Sequence, residues 1–208
     1  MNKNTFDKLI NSNIVLAIVS FILTGLVGVA VSDHYQEKAS ERQRNHEILQ
    51  RELDEAQKVL DEVTYHIRHR WYLLQKLKWG MDENDAENFS ILFSEYNKTK
   101  DEWNVKLYIY KYKIRRLVDD ELAYSLYHKR GERKEIKNRT LNGINIHESF
   151  RNAHNKFKDY KRYKEGTDSG SENFEEAFQK GLEELGLQSD KFIDAAYTIF
   201  LSRFSRMK

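Results

Sequence analysis

The chain of 208 residues contains no cysteine, no proline and only nine glycines. Without cysteine there is no disulfide framework, which favours a reducing compartment such as the cytoplasm. Proline breaks helix interiors, so its absence from a chain rich in Glu, Lys, Leu and Arg predicts long helices. The few glycines form neither a phosphate-binding loop nor a dinucleotide-binding turn, and no nucleophile elbow is present, which excludes the commonest nucleotide-binding and hydrolase motifs.

One long apolar run lies near the amino terminus. Residues 14–31, IVLAIVSFILTGLVGVAV, are eighteen consecutive residues without a charge and with nothing more polar than Ser20 and Thr24. As a helix this run spans about 27 Å, close to the hydrocarbon thickness of a bilayer. The predicted organisation has three parts, an amino-terminal flank, a transmembrane helix and a helical bundle, at residues 1–13, 14–32 and 33–208.

A cleaved secretory signal is the alternative interpretation of this run. Lys3 and Lys8 would form its basic flank, and the small residues at Gly28 and Ala30 resemble a cleavage site. Signal-peptide apolar cores usually contain only about 7–15 residues, so a permanent anchor is favoured.

The positive-inside rule predicts that the chain crosses the membrane once and that its body lies in the cytoplasm. Two lysines precede the run, and four basic residues follow it within twenty positions, at Lys38, Arg42, Arg44 and Arg51.

The rest of the sequence predicts an all-α, up-and-down bundle. After the span, apolar residues recur at steps of three and four, the pattern of an amphipathic or coiled-coil-like helix. These residues are Leu49, Leu53, Ala56, Leu60, Val63, Ile67, Trp71, Leu74 and Leu77. We predict a helix over about 35–79 that continues almost directly from the span as a rigid stalk and is closed at Gly80.

Four more helices are predicted, over about 85–128, 145–164, 172–186 and 190–206. The first of them contains LYIYKYKI, which alternates as a strand would, but the helical period on both sides favours a helix. The last two are separated at Gly186, with Ser189 as the helix cap. Residues 166–171 are predicted to be a linker, and 131–142 a charged loop.

Charge is unevenly distributed along the chain. Residues 106–165 contain seventeen Lys and Arg against eight Asp and Glu, a net charge of +9. This basic middle either is neutralised by the acidic ends inside the bundle or presents a field that attracts RNA or anionic lipid headgroups.

Two groups of histidines are candidate sites. His66 and His69 lie one turn apart, but no further clustered ligands accompany them, so we interpret them, with Arg68 and Arg70, as a solvated helix face and predict no metal and no cofactor. In HESFRNAHNKF, residues 147–157, the side chains of His147, Arg151 and His154 share one helix face. An arginine beside two imidazoles suits phosphate binding or proton transfer at an RNA backbone, and an ordinary charged face is the alternative.

Arg151-Asn152 in an all-α bundle resembles the RNA-cleavage motif of HEPN domains, in which an arginine, often followed by asparagine, precedes a histidine by four to six intervening residues. The resemblance implies an HEPN-like fold, with Arg151, Asn152, His154 and His147 as candidate catalytic residues. Here only two residues separate Arg151 from His154, and Lys156 fills the usual histidine position. That departure favours a protein without RNase activity.

A transmembrane helix joined to an HEPN-like bundle of this size resembles the small accessory membrane proteins of type VI-B CRISPR loci. The resemblance implies assembly into a membrane pore that strengthens defence by an RNA-guided RNase.

The run itself carries a feature that favours assembly. Small or hydroxyl-bearing residues, together with one asparagine, are spaced by three or four and share one face, at Asn13, Ala17, Ser20, Thr24 and Gly28. Such a face allows helices to approach closely in lipid, and a ring of them would form a narrow conduit. We therefore predict a homo-oligomeric, pore-forming membrane protein. A membrane-tethered RNase and a coiled-coil scaffold or adaptor are the alternatives.

Overall fold

The computed structural model describes residues 3–83, 85–128, 141–167 and 173–205, with the backbone alone for 3–15 and for Asn142. Within these ranges the chain forms five α-helices, one 3₁₀ turn and no strand, so the predicted all-α class is confirmed. The helices are α1 (Lys3–Asp82), α2 (Ala86–Leu117), α3 (Asp120–Leu126), α4 (Ile146–Lys164) and α5 (Phe174–Ser205), and the 3₁₀ turn is Leu141–Gly143. Two compact units are distinguished, Met1–Arg51 and Glu52–Lys208.

The first unit consists of the amino-terminal part of α1. Its large apolar side chains within 16–31 are all exposed, from 46% for Val19 to 82% for Phe21. The helix is long and apolar enough to cross a membrane. None of its most apolar stretch is buried within the structure, whereas the corresponding stretch of a core helix would be mostly buried. The segment is therefore a candidate membrane span near the amino terminus.

The second unit is a bundle whose core comes from one face of each long helix. The predicted seam of α1 is confirmed at six of its nine positions, which are 1% exposed or less, at Ala56, Leu60, Val63, Ile67, Leu74 and Leu77. The other three, Leu49, Leu53 and Trp71, are only half-buried. Large aromatic side chains fill the space opposite, with Tyr96 and Trp103 from α2, Phe150, Phe157 and Tyr160 from α4, and Phe178 and Phe192 from α5. Such rings bury much apolar area each and dominate the stability of a core of this kind.

The predicted helix over 85–128 begins as expected and is interrupted once. Asp85 caps its start by accepting a hydrogen bond from the Asn88 amide. The interruption follows Leu117, where the Asp119 carboxylate accepts a 2.8 Å hydrogen bond from the Leu122 amide and starts α3. The Val118 carbonyl at the break accepts a 2.7 Å hydrogen bond from Arg203 of α5. These two bonds satisfy two of the backbone groups that the break frees, which lowers its cost.

The predicted division of the carboxy-terminal segment at Gly186 is wrong, since α5 runs unbroken from Phe174 to Ser205. Ser189 is buried inside that helix, where its hydroxyl donates to the Leu185 carbonyl at 2.7 Å instead of capping a new helix. Gly186 serves packing: a Cβ there would lie 3.3 Å from Nε1 of Trp71, whose indole donates to the Leu182 carbonyl at 3.2 Å. The glycine thus admits the Trp71 ring against α5.

The predicted linker and loop are only partly within the described residues. Gly166 turns the chain after α4 with φ of +69°, a conformation that suits glycine. Positions 168–171 of the linker and 131–140 of the charged loop lie outside the described residues, and the end of that loop forms the 3₁₀ turn.

Candidate functional site

The face predicted to be solvated, from His66 to Arg70, is buried at two positions, so that interpretation is wrong for both. Arg70 is 3% exposed and His66 is 6% exposed, whereas Arg68 is exposed. The physical reason is the heptad pattern, in which buried positions are three or four residues apart and the pattern repeats every seven residues. Ile67 and Leu74 are seven residues apart, and Arg70 is the buried seam position between them. The prediction gave this seam position to its neighbour Trp71, which is only half-buried.

Arg70 lies between aromatic rings from two other helices. Its Cζ is 4.1 Å from the ring centroid of Phe150 on α4 and 5.7 Å from that of Trp103 on α2. The negative faces of aromatic rings attract a guanidinium, which offsets part of the cost of removing this charge from water. Arg70 therefore joins three helices through one buried cation.

The hydrogen-bond donors around this cation outnumber their acceptors. Nε and Nη1 of Arg70 have no partner among the described residues, and neither does Nε1 of Trp103 or Nδ1 of His147. Burial lowers the pKa of Arg70, and the Tyr96 hydroxyl partly opposes that shift. A guanidinium keeps its proton in proteins, so the group remains a charged donor, and no carboxylate of the described part of the chain pairs with it. We call Arg70, Tyr96, Trp103, His147 and His154 the Arg70 cluster.

The two histidines of the cluster are neutral at pH 7. Nδ1 of His154 is 3.0 Å from the Tyr96 hydroxyl, so the two groups share a hydrogen bond. Burial, together with Lys158, Lys100 and Arg70, lowers the pKa of His154 to about 4. Burial is also the main cause that lowers the pKa of His147, followed by the charges of Arg70 and Arg151. The net charge inside the cluster is therefore that of Arg70.

The residues predicted from the HEPN-like pattern do not all face the same way. His147 and His154 are half-buried and feel the charge of Arg70. The Arg151 side chain is 41% exposed and forms an ion pair with Glu148, and Asn152 is exposed. The structure thus assigns Arg151 and His154 to different partners, while it adds Arg70 and Tyr96, which the sequence interpretation did not select.

His69, the remaining histidine of the two candidate groups, lies 3.5 Å from Glu95 and stacks on Tyr65. Within the described ranges, no three His, Asp or Glu side chains are placed to hold a metal ion.

The basic middle of the chain is partly neutralised by other elements. Arg116 and Lys113 of α2 lie 2.7 and 3.9 Å from the carboxylate of Glu55 on α1. Arg115 forms a 2.6 Å ion pair with Asp120 at the start of α3. Glu55 belongs to the acidic amino-terminal part of the chain, so the pairs of Arg116 and Lys113 follow the first interpretation of the charge pattern, whereas Asp120 lies within the basic middle itself.

The predicted assembly face of the span lies on an exposed helix surface. Ala17, Ser20, Thr24 and Gly28 are exposed, while the Asn13 side chain lies outside the described residues. The Thr24 hydroxyl donates to the Ser20 carbonyl at 2.8 Å. Because that donor is satisfied within the helix, the hydroxyl can enter lipid at small cost and still accept a bond from a neighbouring helix.

Chemically, the Arg70 cluster combines a buried positive charge with unpaired donors and two neutral imidazoles. An arrangement of this kind is suited to holding an oxyanion. No family model, curated protein or solved structure matches this chain, so its site is interpreted from its own geometry.

Proposed function

We propose that the chain is a membrane-anchored, homo-oligomeric pore-forming effector that strengthens RNA-guided antiphage defence by depolarising the bacterial inner membrane. One observation carries the proposal: every large apolar side chain of 16–31 is exposed, on a helix that also carries a face of small and hydroxyl residues. Lipid covers such a helix, and the small-residue face permits a second copy to approach it closely. The body faces the cytoplasm, and the amino terminus is retained.

Rotation of the spans offers a mechanism for opening. A ring that turns the Ser20 and Thr24 face inward gives a mildly polar conduit, whereas the face of Ile18, Ile22 and Val29 gives an apolar constriction that closes by dewetting. The sequence has neither glycine nor proline between Val29 and Trp79, so the connection to the bundle has no built-in break.

The bundle surface supports assembly into a ring. On α2, four exposed side chains at steps of three and four form an apolar stripe opposite the buried face, at Val105, Tyr108, Ile109 and Tyr112, each 53–74% exposed. On α5, exposed Leu187 lies in an acidic row with Glu183, Asp190 and Asp194. Exposed Lys106, beside the α2 stripe, is opposite in charge to the acidic row, so a second copy is the partner that fits. Contact between two different surfaces of one protein is heterologous, and such contacts form a ring when the rotation from copy to copy closes.

The decisive experiment measures membrane potential in cells. In cells that carry the protein and its activating defence system, we expect a potential-sensitive dye to report depolarisation during phage challenge. Replacing Ser20 and Thr24 by leucine is expected to reduce this signal to background, because two bulky side chains block close approach and remove the polar lining. Insertion is expected to be unchanged.

The matched control replaces Ile18 and Ile22 by leucine, which conserves volume on the opposite face. This variant is expected to depolarise like the wild type. If a span of leucines alone depolarises as well as the native span, the helix is a passive anchor and the scaffold interpretation replaces the pore.

An RNase assay distinguishes the proposed pore-forming protein from the alternative, a membrane-tethered RNase. Because Arg151 pairs with Glu148 and is apart from the Tyr96–His154 hydrogen bond, we expect the purified protein to leave single-stranded RNA intact in the presence of EDTA. Gel analysis of labelled RNA checks this expectation. Metal-independent cleavage by the wild type that is lost in Arg151→Ala would transfer the function to the HEPN-type RNase.

A further inference from the structure

We propose that the Arg70 cluster is a binding site for a small phosphate-type oxyanion, either free phosphate or the phosphate of a monoester. The site belongs to the bundle and does not depend on whether the spans form a pore. Its central residue is not the motif arginine Arg151 but Arg70, on the seam of α1.

The buried charge of Arg70 is not compensated. Arg70 is 3% exposed, and its Nε and Nη1 have no partner among the described residues. A buried cation without a paired anion is strongly destabilising, and contact with aromatic rings offsets only part of that cost. Tyr96 does not supply the missing negative charge, because burial raises the pKa of its hydroxyl and keeps it neutral. The cluster therefore lacks an anion.

The unpaired atoms of the cluster indicate which kind of group would complete it. The unpaired atoms are the two guanidinium nitrogens, the Trp103 indole nitrogen and one imidazole nitrogen of His147. Indole and guanidinium nitrogens only donate, whereas a nitrogen of a neutral imidazole donates in one tautomer and accepts in the other. A phosphate offers several acceptor oxygens and negative charge, and a guanidinium recognises it through two parallel hydrogen bonds. Neutral ligands would satisfy the donors but leave the charge.

An anion can reach the cluster from the side of α4. The guanidinium is closed to solvent in this structure, but His147 and His154 on α4 are only half-buried. Lys100 and Lys158 are close enough to influence His154, so the rim beside that ring is positive. We therefore place the entry side of the site at these two histidines, where the positive rim attracts anions.

The test uses the full-length protein in detergent micelles and inorganic phosphate as the probe. Thermal unfolding is followed by circular dichroism in phosphate and in sodium chloride of equal ionic strength. At about 100 times the dissociation constant, we expect phosphate to raise the Tm of the wild type by about 5–10 °C relative to chloride.

Variants at position 70 test whether the increase in Tm comes from phosphate bound at Arg70. Arg70→Met removes the charge at similar length, so we expect it to unfold in chloride at the wild-type temperature or above, and to show no specific response to phosphate. Arg70→Lys keeps the charge but loses the planar fork, so its affinity for phosphate should fall about tenfold or more. Arg68→Met, on the exposed side of the same turn, is the matched control and should respond like the wild type.

The outcomes are distinct. A phosphate response that is absent in Arg70→Met and weakened in Arg70→Lys supports the site, and the Lys variant alone decides if the Met variant does not fold. Adenosine monophosphate as a second probe tells whether the phosphate can be carried on a nucleoside, and a response of the wild type to either probe that Arg70→Met lacks supports the proposal. Equal responses in wild type and Arg70→Met would indicate a general salt effect and overturn it, as would no response to either probe.

Discussion

Phe157→Ala is expected to lower the free energy of unfolding of the bundle by about 3–5 kcal/mol, the usual cost of removing a fully buried phenylalanine. Phe157 is 0% exposed, and its ring contacts Phe93 and Tyr96 on α2 and Phe178 on α5. Alanine leaves a cavity where three helices meet, and close-packed neighbours relax only partly into such a space.

Chemical denaturation followed by circular dichroism measures this loss. Tyr163→Ala is the control, because Tyr163 lies on the same helix but is half exposed and stacks mainly on Phe174. We expect that control to cost about 1 kcal/mol or less. Equal losses in the two variants would contradict the assignment of Phe157 to the centre of the core.

Acid is expected to destabilise the protein in a window set by His154. Its pKa is about 4 in the folded protein and 6.5 in the unfolded chain. Between these values the unfolded chain binds a proton at this position that the folded protein does not bind. Stability therefore falls as pH falls, by up to about 1.4 kcal/mol per pH unit and about 2–3 kcal/mol across the window.

The groups that face His154 explain this direction. Arg70 comes from α1, Lys100 and the Tyr96 hydroxyl from α2, and Lys158 from α4 itself. Burial opposes a charged imidazole most, and the three cations oppose it as well.

Unfolding measured at several pH values from 4 to 7 checks the prediction, with His154→Gln as the matched variant. Glutamine does not titrate but keeps a polar group for Tyr96, so its stability should vary less with pH. His66 and His147 have pKa values lowered in the same direction, so a smaller slope remains in the variant. An identical slope in wild type and variant would remove His154 as the cause.

The two predictions are coupled through one contact. The Phe157 ring lies 6.3 Å from the His154 ring and helps to keep it dry. Phe157→Ala should therefore also return the pKa of His154 towards its ordinary value and flatten the acid dependence.

Local patterns in the sequence determined most of the architecture. Helical class follows from the absence of proline and from apolar steps of three and four, which specify one buried face per helix without knowledge of the neighbours. The candidate span follows from length and composition alone. Caps such as Asp85 and Asn145 are likewise local, because a side chain there satisfies amides only three residues away.

Only the tertiary structure decided the roles of residues whose partners are distant in the chain. Gly186 looked like a helix end, but Trp71, 115 positions earlier, needs the space that a missing Cβ leaves. Arg70 looked solvated, and the Phe150 and Trp103 rings that cover it come from other helices. Burial and charge compensation depend on what packs opposite. A shift of the buried seam by one residue, from Trp71 to Arg70, is enough to turn Arg70 from an expected surface cation into a buried one.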